Sequence, residues 1–164
     1  RGLKDAALCP SLKNGAGKWS DSYAFDVQAA EVEVDRETGV ITVLRSLTAH
    51  DCGFPNNPRL VEGQIDGQVS MAAGQALTEE VVMKNGIAVN PSFLDYKPPL
   101  VTELVENEYI HVQTETYASD RDFVTKEVGE GLVSGILAAI ANGVANATGY
   151  RATRVPIDIG GDEK

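Results

Sequence analysis

One carboxylate, Glu130, stands between two glycines in the stretch Thr125-Lys126-Glu127-Val128-Gly129-Glu130-Gly131. A carboxylate ionised at neutral pH can take a proton from any group held within hydrogen-bonding reach. Glycine on both sides lets other atoms come close to the backbone. Directly afterwards Leu132, Ile136, Ile140 and Val144 recur at a spacing of four, with Val133, Leu137 and Ala141 alongside. This spacing predicts a helix from Leu132 to Ala147, ended by Gly149. Glu130 therefore belongs at or near a helix N-terminus, where unpaired N–H groups and the helix dipole favour a negative group. Two readings follow: a helix-capping acid, or an acid–base group in a glycine-lined site.

A second group of polar residues opens the other helical pattern, Val61 to Val81, in which Ile65, Val69, Ala72, Ala73, Ala76 and Leu77 share a face. Its first turns carry Gly63, Gln64, Gly67 and Gln68, and Gly74 follows. Each glycine costs a helix about 1 kcal/mol relative to alanine. The compensation is either close packing, which composition alone favours, or room for a ligand beside Gln64, whose amide both donates and accepts. His50-Asp51-Cys52 invites a metal, but neighbours on an extended chain point to opposite faces, so a structural role is the simpler reading. Asn14-Gly15-Ala16-Gly17-Lys18 lacks the upstream glycine, the preceding strand and the following Ser/Thr of a phosphate loop, and reads as a flexible turn.

Composition narrows the classes. The chain has 164 residues, a formal net charge of -10 and a pI near 4.6. That suits one domain with a sizeable core. It disfavours nucleic acid and anionic membrane surfaces as partners, since both attract basic patches. No apolar run approaches the roughly 20 residues of a membrane helix, and Arg1 to Leu12 does not read as a signal peptide. Cys9 and Cys52 are too few for a disulfide scaffold, or for an iron–sulfur cluster with its about four cysteines. A cytoplasmic setting is expected.

The elements that must position these residues follow in order. Residues 1–21 show no periodicity and read like the middle of something longer. Ser22 to Asp35 and Val40 to Leu47 alternate and are joined by Asp35-Arg36-Glu37-Thr38-Gly39, a β-hairpin. Ala49 to Pro58 reads as an irregular loop because of its prolines. Glu80 to Asn90 is a second hairpin around Asn85-Gly86, and Pro98-Pro99 is extended. Tyr109 to Thr116 reads as a strand, with His111 a plain strand residue. Val155-Pro156-Ile157-Asp158-Ile159 is a short strand or extended arm, and residues 160–164 form a tail. Strands and helices mix without βαβ regularity. The expected class is α+β, with hairpins and a mixed sheet packed with two main helices.

The arrangement resembles the C-terminal part of the molybdenum-binding subunit of the xanthine dehydrogenase and aldehyde oxidase family, over about residues 22–158. Four landmarks carry the resemblance in the family's order. They are Glu31-Val32-Glu33-Val34-Asp35 through Thr38-Gly39; Ala49-His50-Asp51-Cys52-Gly53 with Asn57-Pro58; Val61-Glu62-Gly63-Gln64-Ile65-Asp66-Gly67 leading into Ala76-Leu77-Thr78-Glu79-Glu80; and Lys126-Glu127-Val128-Gly129-Glu130-Gly131 with Ala139-Ile140-Ala141-Asn142 and Ala147-Thr148-Gly149.

The resemblance implies that residues 22–159 are the C-terminal portion of a larger molybdopterin-binding domain. Glu130 is then the general base on a molybdenum-bound hydroxyl that attacks an electron-poor carbon. Gln64 contacts the molybdopterin cofactor, with Gly63 and Gly129 beside it, and no protein side chain ligates the metal. It further implies a larger molybdopterin-binding chain as partner, and iron–sulfur (2Fe-2S) and flavin (FAD) components on other chains. The Glu-Val-Gly-Glu-Gly form is closer to bacterial members acting on aromatic substrates, 4-hydroxybenzoyl-CoA reductase among them. Arg121-Asp122-Phe123-Val124-Thr125 departs from the family's usual glycine- and proline-containing segment, and Pro55-Asn56 from its usual apolar residue. A non-catalytic assembly subunit and a stand-alone small-ligand binding protein are the alternatives.

Overall fold

The computed structural model describes residues 23–112 and 125–160. The Asn14–Lys18 turn, the 121–124 departure, the end of the 109–116 strand and residues 161–164 lie outside them. Two alternating segments, β1 (Phe25–Val34) and β2 (Ile41–Asp51), pair antiparallel from Phe25↔Asp51 to Val34↔Ile41, with a bulge between Glu31 and Val32. Their turn is closed by Asp35, whose Oδ1 accepts from the N–H groups of Glu37 at 2.8 Å and Thr38 at 3.2 Å. Those donors hold its carboxyl below the usual range. Gly39 completes the turn at φ +78°.

Helix α1 (Pro58–Leu77) follows β2. Asn57 caps it through a side chain that accepts from Leu60 N–H at 3.2 Å, and Pro58 sits where a missing N–H costs nothing. The helix thus starts before the expected Val61, because the cap and proline lie ahead of the apolar pattern. It also stops short of Val81. The Thr78 and Glu79 N–H groups both turn back to Gly74 O, and Thr78 Oγ1 donates to Lys97 O at 2.7 Å. The hairpin β3 (Met83–Lys84) and β4 (Ile87–Ala88) forms as expected, with Asn85 and Gly86 at φ +50° and +78°.

Strand β5 (Glu106–His111) pairs parallel to β2, from Arg45↔Glu106 to His50↔His111, giving the order β1-β2-β5. The sheet is mixed and the class α+β, as expected, while two boundaries move. Strand β2 runs on to Asp51, so Ala49, His50 and Asp51 are sheet residues and not loop. Ala49 and His50 pair with both β1 and β5, Asp51 pairs with Phe25 of β1, and the prolines lie just beyond. Strand β5 begins at Glu106, ahead of Tyr109. Residues 155–159 form no strand. They make an arm, with a cis Val155–Pro156 peptide, in which Ile157 N–H donates to Ala76 O at 2.6 Å.

Helix α2 (Leu132–Thr148) lies against β1 and α1. Its stripe Leu132, Ile136, Ile140 and Val144 is fully buried with Ile65, Val69, Ala72 and Ala76 of α1. Each large side chain there contributes about 1.5–3 kcal/mol. The sheet's inner face adds Ala30, Val32, Val34, Ile41, Val43 and Tyr109. Close approach requires Gly143, where a Cβ would stand 2.9 Å from Val32 Cγ2. The sheet's other face leaves Phe25, Val27, Leu44 and Ile110 exposed, and Phe93, Leu94 and Val101 are exposed between β4 and β5. Among the described residues no helix is long and apolar enough to cross a membrane.

Candidate active site

The glycine-flanked stretch is stitched to the end of β2 before it enters α2. Thr125 bridges to Gly53, and Lys126 N–H donates to Cys52 O at 2.7 Å. The Lys126 ammonium forms an ion pair with Asp51, their side chains 8% and 1% exposed, and lies over the Phe25 ring. His50, also buried, donates from Nε2 to Glu127 O at 3.1 Å, and His111 Nε2 donates to Gly53 O at 2.9 Å. The His50-Asp51-Cys52 triplet is therefore an anchor for the 125–131 loop. Among the described residues no group of three or more His, Cys, Asp or Glu could hold a metal ion. Cys52 is 3% exposed; burial raises its thiol pKa, and burial together with Cys52 pushes Tyr109 up to about 12. An inert buried thiol is the consequence.

Two side chains take the amides that lead into α2. Glu127 Oε1 accepts from the N–H groups of Glu130 at 2.6 Å and Gly131 at 3.3 Å. Gln68 Oε1 accepts from Leu132 N–H at 3.0 Å. The capping acid is thus Glu127, and the reading of Glu130 as the cap is corrected. Glu130 is exposed, and its carboxylate takes no hydrogen bond among the described residues. Gly131 is explained by the same geometry, since a Cβ there would stand 2.8 Å from Glu127 Oε2.

Gln68 is 1% exposed and reaches across from α1 to α2. Its Nε2 donates to Val128 O at 2.6 Å and to Gln64 O at 3.2 Å. The stretch 128–132 is thereby tied to the turn of α1 that carries Gln64. Gln64 itself is exposed, and a Cβ at Gly63 or Gly67 would meet nothing within 4 Å among the described residues. Only Gly74 of the three predicted packing glycines is packed, against Pro99 Cδ at 2.6 Å. The N-terminal half of α1 thus presents glycines with open space beside them and an exposed amide able to donate and to accept.

Sequence reasoning singled out Glu130, Gln64, Gly63 and Gly129, and missed the roles of Glu127, Lys126 and Gln68. The signal for Gln68 was present. It is a polar residue wedged between Ile65 and Val69 on the apolar face of α1, where an amide is buried only with partners.

The sequence matches the family described as molybdopterin cofactor-binding domain over residues 6–105. The xanthine dehydrogenase molybdenum-binding subunit of Escherichia coli is 35% identical over 136 residues, 82% of this chain and 18% of that one. The aldehyde oxidoreductase molybdenum-binding subunit PaoC of Escherichia coli is 34% identical over 131 residues, 79% of this chain and 18% of that one. Among solved structures, quinoline 2-oxidoreductase from Pseudomonas putida 86 superposes with a TM-score of 0.69 at 31% identity, over 79% of this chain and 17% of that one. Aldehyde oxidoreductase from Desulfovibrio gigas gives 0.71 at 28% identity, over 81% and 14%. The chain spans 18% of the length of both curated relatives. The resemblance drawn from the four motifs is borne out: the chain belongs to the molybdopterin cofactor-binding domain family.

Proposed function

We propose that this chain is the C-terminal portion of the molybdenum-cofactor-binding part of a molybdenum hydroxylase, residues 22–159 forming that portion. The enzyme oxidises an electron-poor carbon of an aromatic heterocycle, aldehyde or related compound with oxygen derived from water. The observation that carries the reading is the division of labour at α2. Glu127 and Gln68 satisfy the amides, which leaves the Glu130 carboxylate uncommitted beside them.

The molybdopterin cofactor supplies the two-electron redox chemistry when bound. Gln64 would hold it through its side-chain amide, with Gly129 beside it and Gly63 giving close access to backbone. Glu130 accepts at its carboxylate the proton released as oxygen passes to the substrate carbon. A carboxylate held by an anchored loop at a fixed place is suited to that transfer. The partners are a larger molybdopterin-binding chain, and iron–sulfur and flavin components that carry the electrons away. The exposed apolar residues Phe25, Val27, Phe93, Leu94 and Val101 are suited to burial against the larger chain.

Elemental analysis of the assembled protein, purified with its co-purifying chains, tests the reading. Molybdenum with larger chains is expected. A monomer that melts sharply and cooperatively, free of molybdenum and of partners, would contradict it and favour a stand-alone binding protein.

A further inference from the structure

We propose that Gln68 is a positioning residue for the reaction, setting the place of Glu130 by clamping the chain on both sides of it. The inference rests on the proposed role of Glu130. The observation is geometric. One fully buried amide donates to Val128 O at 2.6 Å, two residues before Glu130, and accepts from Leu132 N–H at 3.0 Å, two residues after it. The same Nε2 donates to Gln64 O at 3.2 Å. Between the two clamped residues lie only Gly129, Glu130 and Gly131, and glycine gives a segment little stiffness of its own. Glu127 ties down the Glu130 and Gly131 amides, yet it belongs to the same exposed loop and cannot fix that loop relative to α1. Gln68 stands on the most deeply buried face of α1, between Ile65 and Val69 at 0% and 1% exposure. It is therefore the link from α1 to the glycine-flanked acid, downstream of the β2 anchor that ends at Glu127 O. Through Gln64 O it also fixes the acid relative to the turn assigned to the cofactor. Misplacement of a catalytic group by about 1 Å can cost roughly 10²-fold in rate, so the clamp acts on the chemical step more than on binding.

The test uses the assembled holoenzyme with Gln68→Met, which keeps length and packing but removes all three hydrogen bonds. Gln68→Glu is the second variant; it keeps an acceptor for Leu132 N–H and loses the amide donors. Three quantities are read: molybdenum per protein, hydrogen exchange of the peptide covering residues 128–134, and kcat and KM separately. In Gln68→Met, exchange in that peptide is expected to quicken at least tenfold while peptides in the middle of α1 and α2 hold. We expect kcat per molybdenum to fall about 10–100-fold with KM within about threefold, and Gln68→Glu to fall between Met and wild type.

A residue acting through Glu130 loses its effect once Glu130 cannot take a proton. Gln68→Met should therefore lower the rate of Glu130→Gln by less than about twofold further. Unchanged exchange in residues 128–134, or unchanged kcat, would overturn the clamp. So would effects of the two substitutions that multiply. Wild-type turnover of Glu130→Gln alone would instead remove the base assignment and the positioning role with it, whatever the exchange data show.

Discussion

The capping contact and the proposed base fall on two different glutamates three residues apart, and a paired substitution separates them. In Glu127→Ala the amides of Glu130 and Gly131 lose their acceptor, held at 2.6 and 3.3 Å. The longer contact lies outside the usual range for N–H···O, so one good bond decides the cost. A cap of this kind contributes about 1 kcal/mol, and its charge near the helix N-terminus adds about 0.3–1 kcal/mol at an exposed site. The sum, about 1.5 kcal/mol, corresponds to roughly tenfold faster opening of the first turn. Hydrogen exchange of the amides of residues 130–133 measures it directly. Glu127→Gln keeps an acceptor and should show only the charge part. Glu130→Gln should leave those amides unchanged, because the Glu130 carboxylate accepts none of them. The geometry adds a coupling: Gly131→Ala places a Cβ 2.8 Å from Glu127 Oε2, so it should displace the cap alone and be nearly neutral when Glu127 is already alanine. If Glu130→Gln exposed the first turn and Glu127→Ala did not, the separation of roles would be wrong.

Four further substitutions probe the surroundings. Lys126→Met takes the lysine from a carboxylate that is 1% exposed and should cost about 3–5 kcal/mol, read as a lowered urea midpoint of the assembled protein; a loss below 1 kcal/mol would demote the pair. Gly74→Ala drives a Cβ to 2.6 Å from Pro99 and should destabilise by about 1–3 kcal/mol. Gly67→Ala meets nothing among the described residues and should leave their folding unharmed, so a loss of molybdenum in that variant would report a contact outside them. Gln64→Ala should lower molybdenum occupancy, by roughly the 1–3 kcal/mol of an unpaired buried polar group; unchanged occupancy and turnover would return Gln64 to plain helix surface.

Regular patterning was readable in the residues themselves. The four-residue apolar spacing from Leu132 to Val144 defined α2 and its end at Gly149, and alternation with Asn85-Gly86 and Thr38-Gly39 defined both hairpins. Boundaries set by tertiary pairing were not readable. His50 and Asp51 look like loop residues next to prolines, and only pairing with β1, joined by β5 at His50, makes them sheet. Glu106-Asn107-Glu108 is a polar run whose strand depends on parallel pairing with β2. At the site, the acid between glycines was visible as a type and a place. Which glutamate caps the helix depends on how the loop folds back, and both Glu127 and Glu130 were close enough in sequence to do it. The Lys126–Asp51 pair spans 75 residues of sequence, beyond any local pattern.

Glu130→Gln is nearly isosteric and differs in its inability to take a proton. The rate of the reductive half-reaction in the assembled enzyme, normalised to bound molybdenum, is the most direct measurement of the catalytic assignment. A fall of about 10²–10⁴-fold is expected, with molybdenum content and assembly unchanged and Glu130→Asp in between. A Glu130→Gln rate within about threefold of wild type would contradict the assignment of Glu130 as the base.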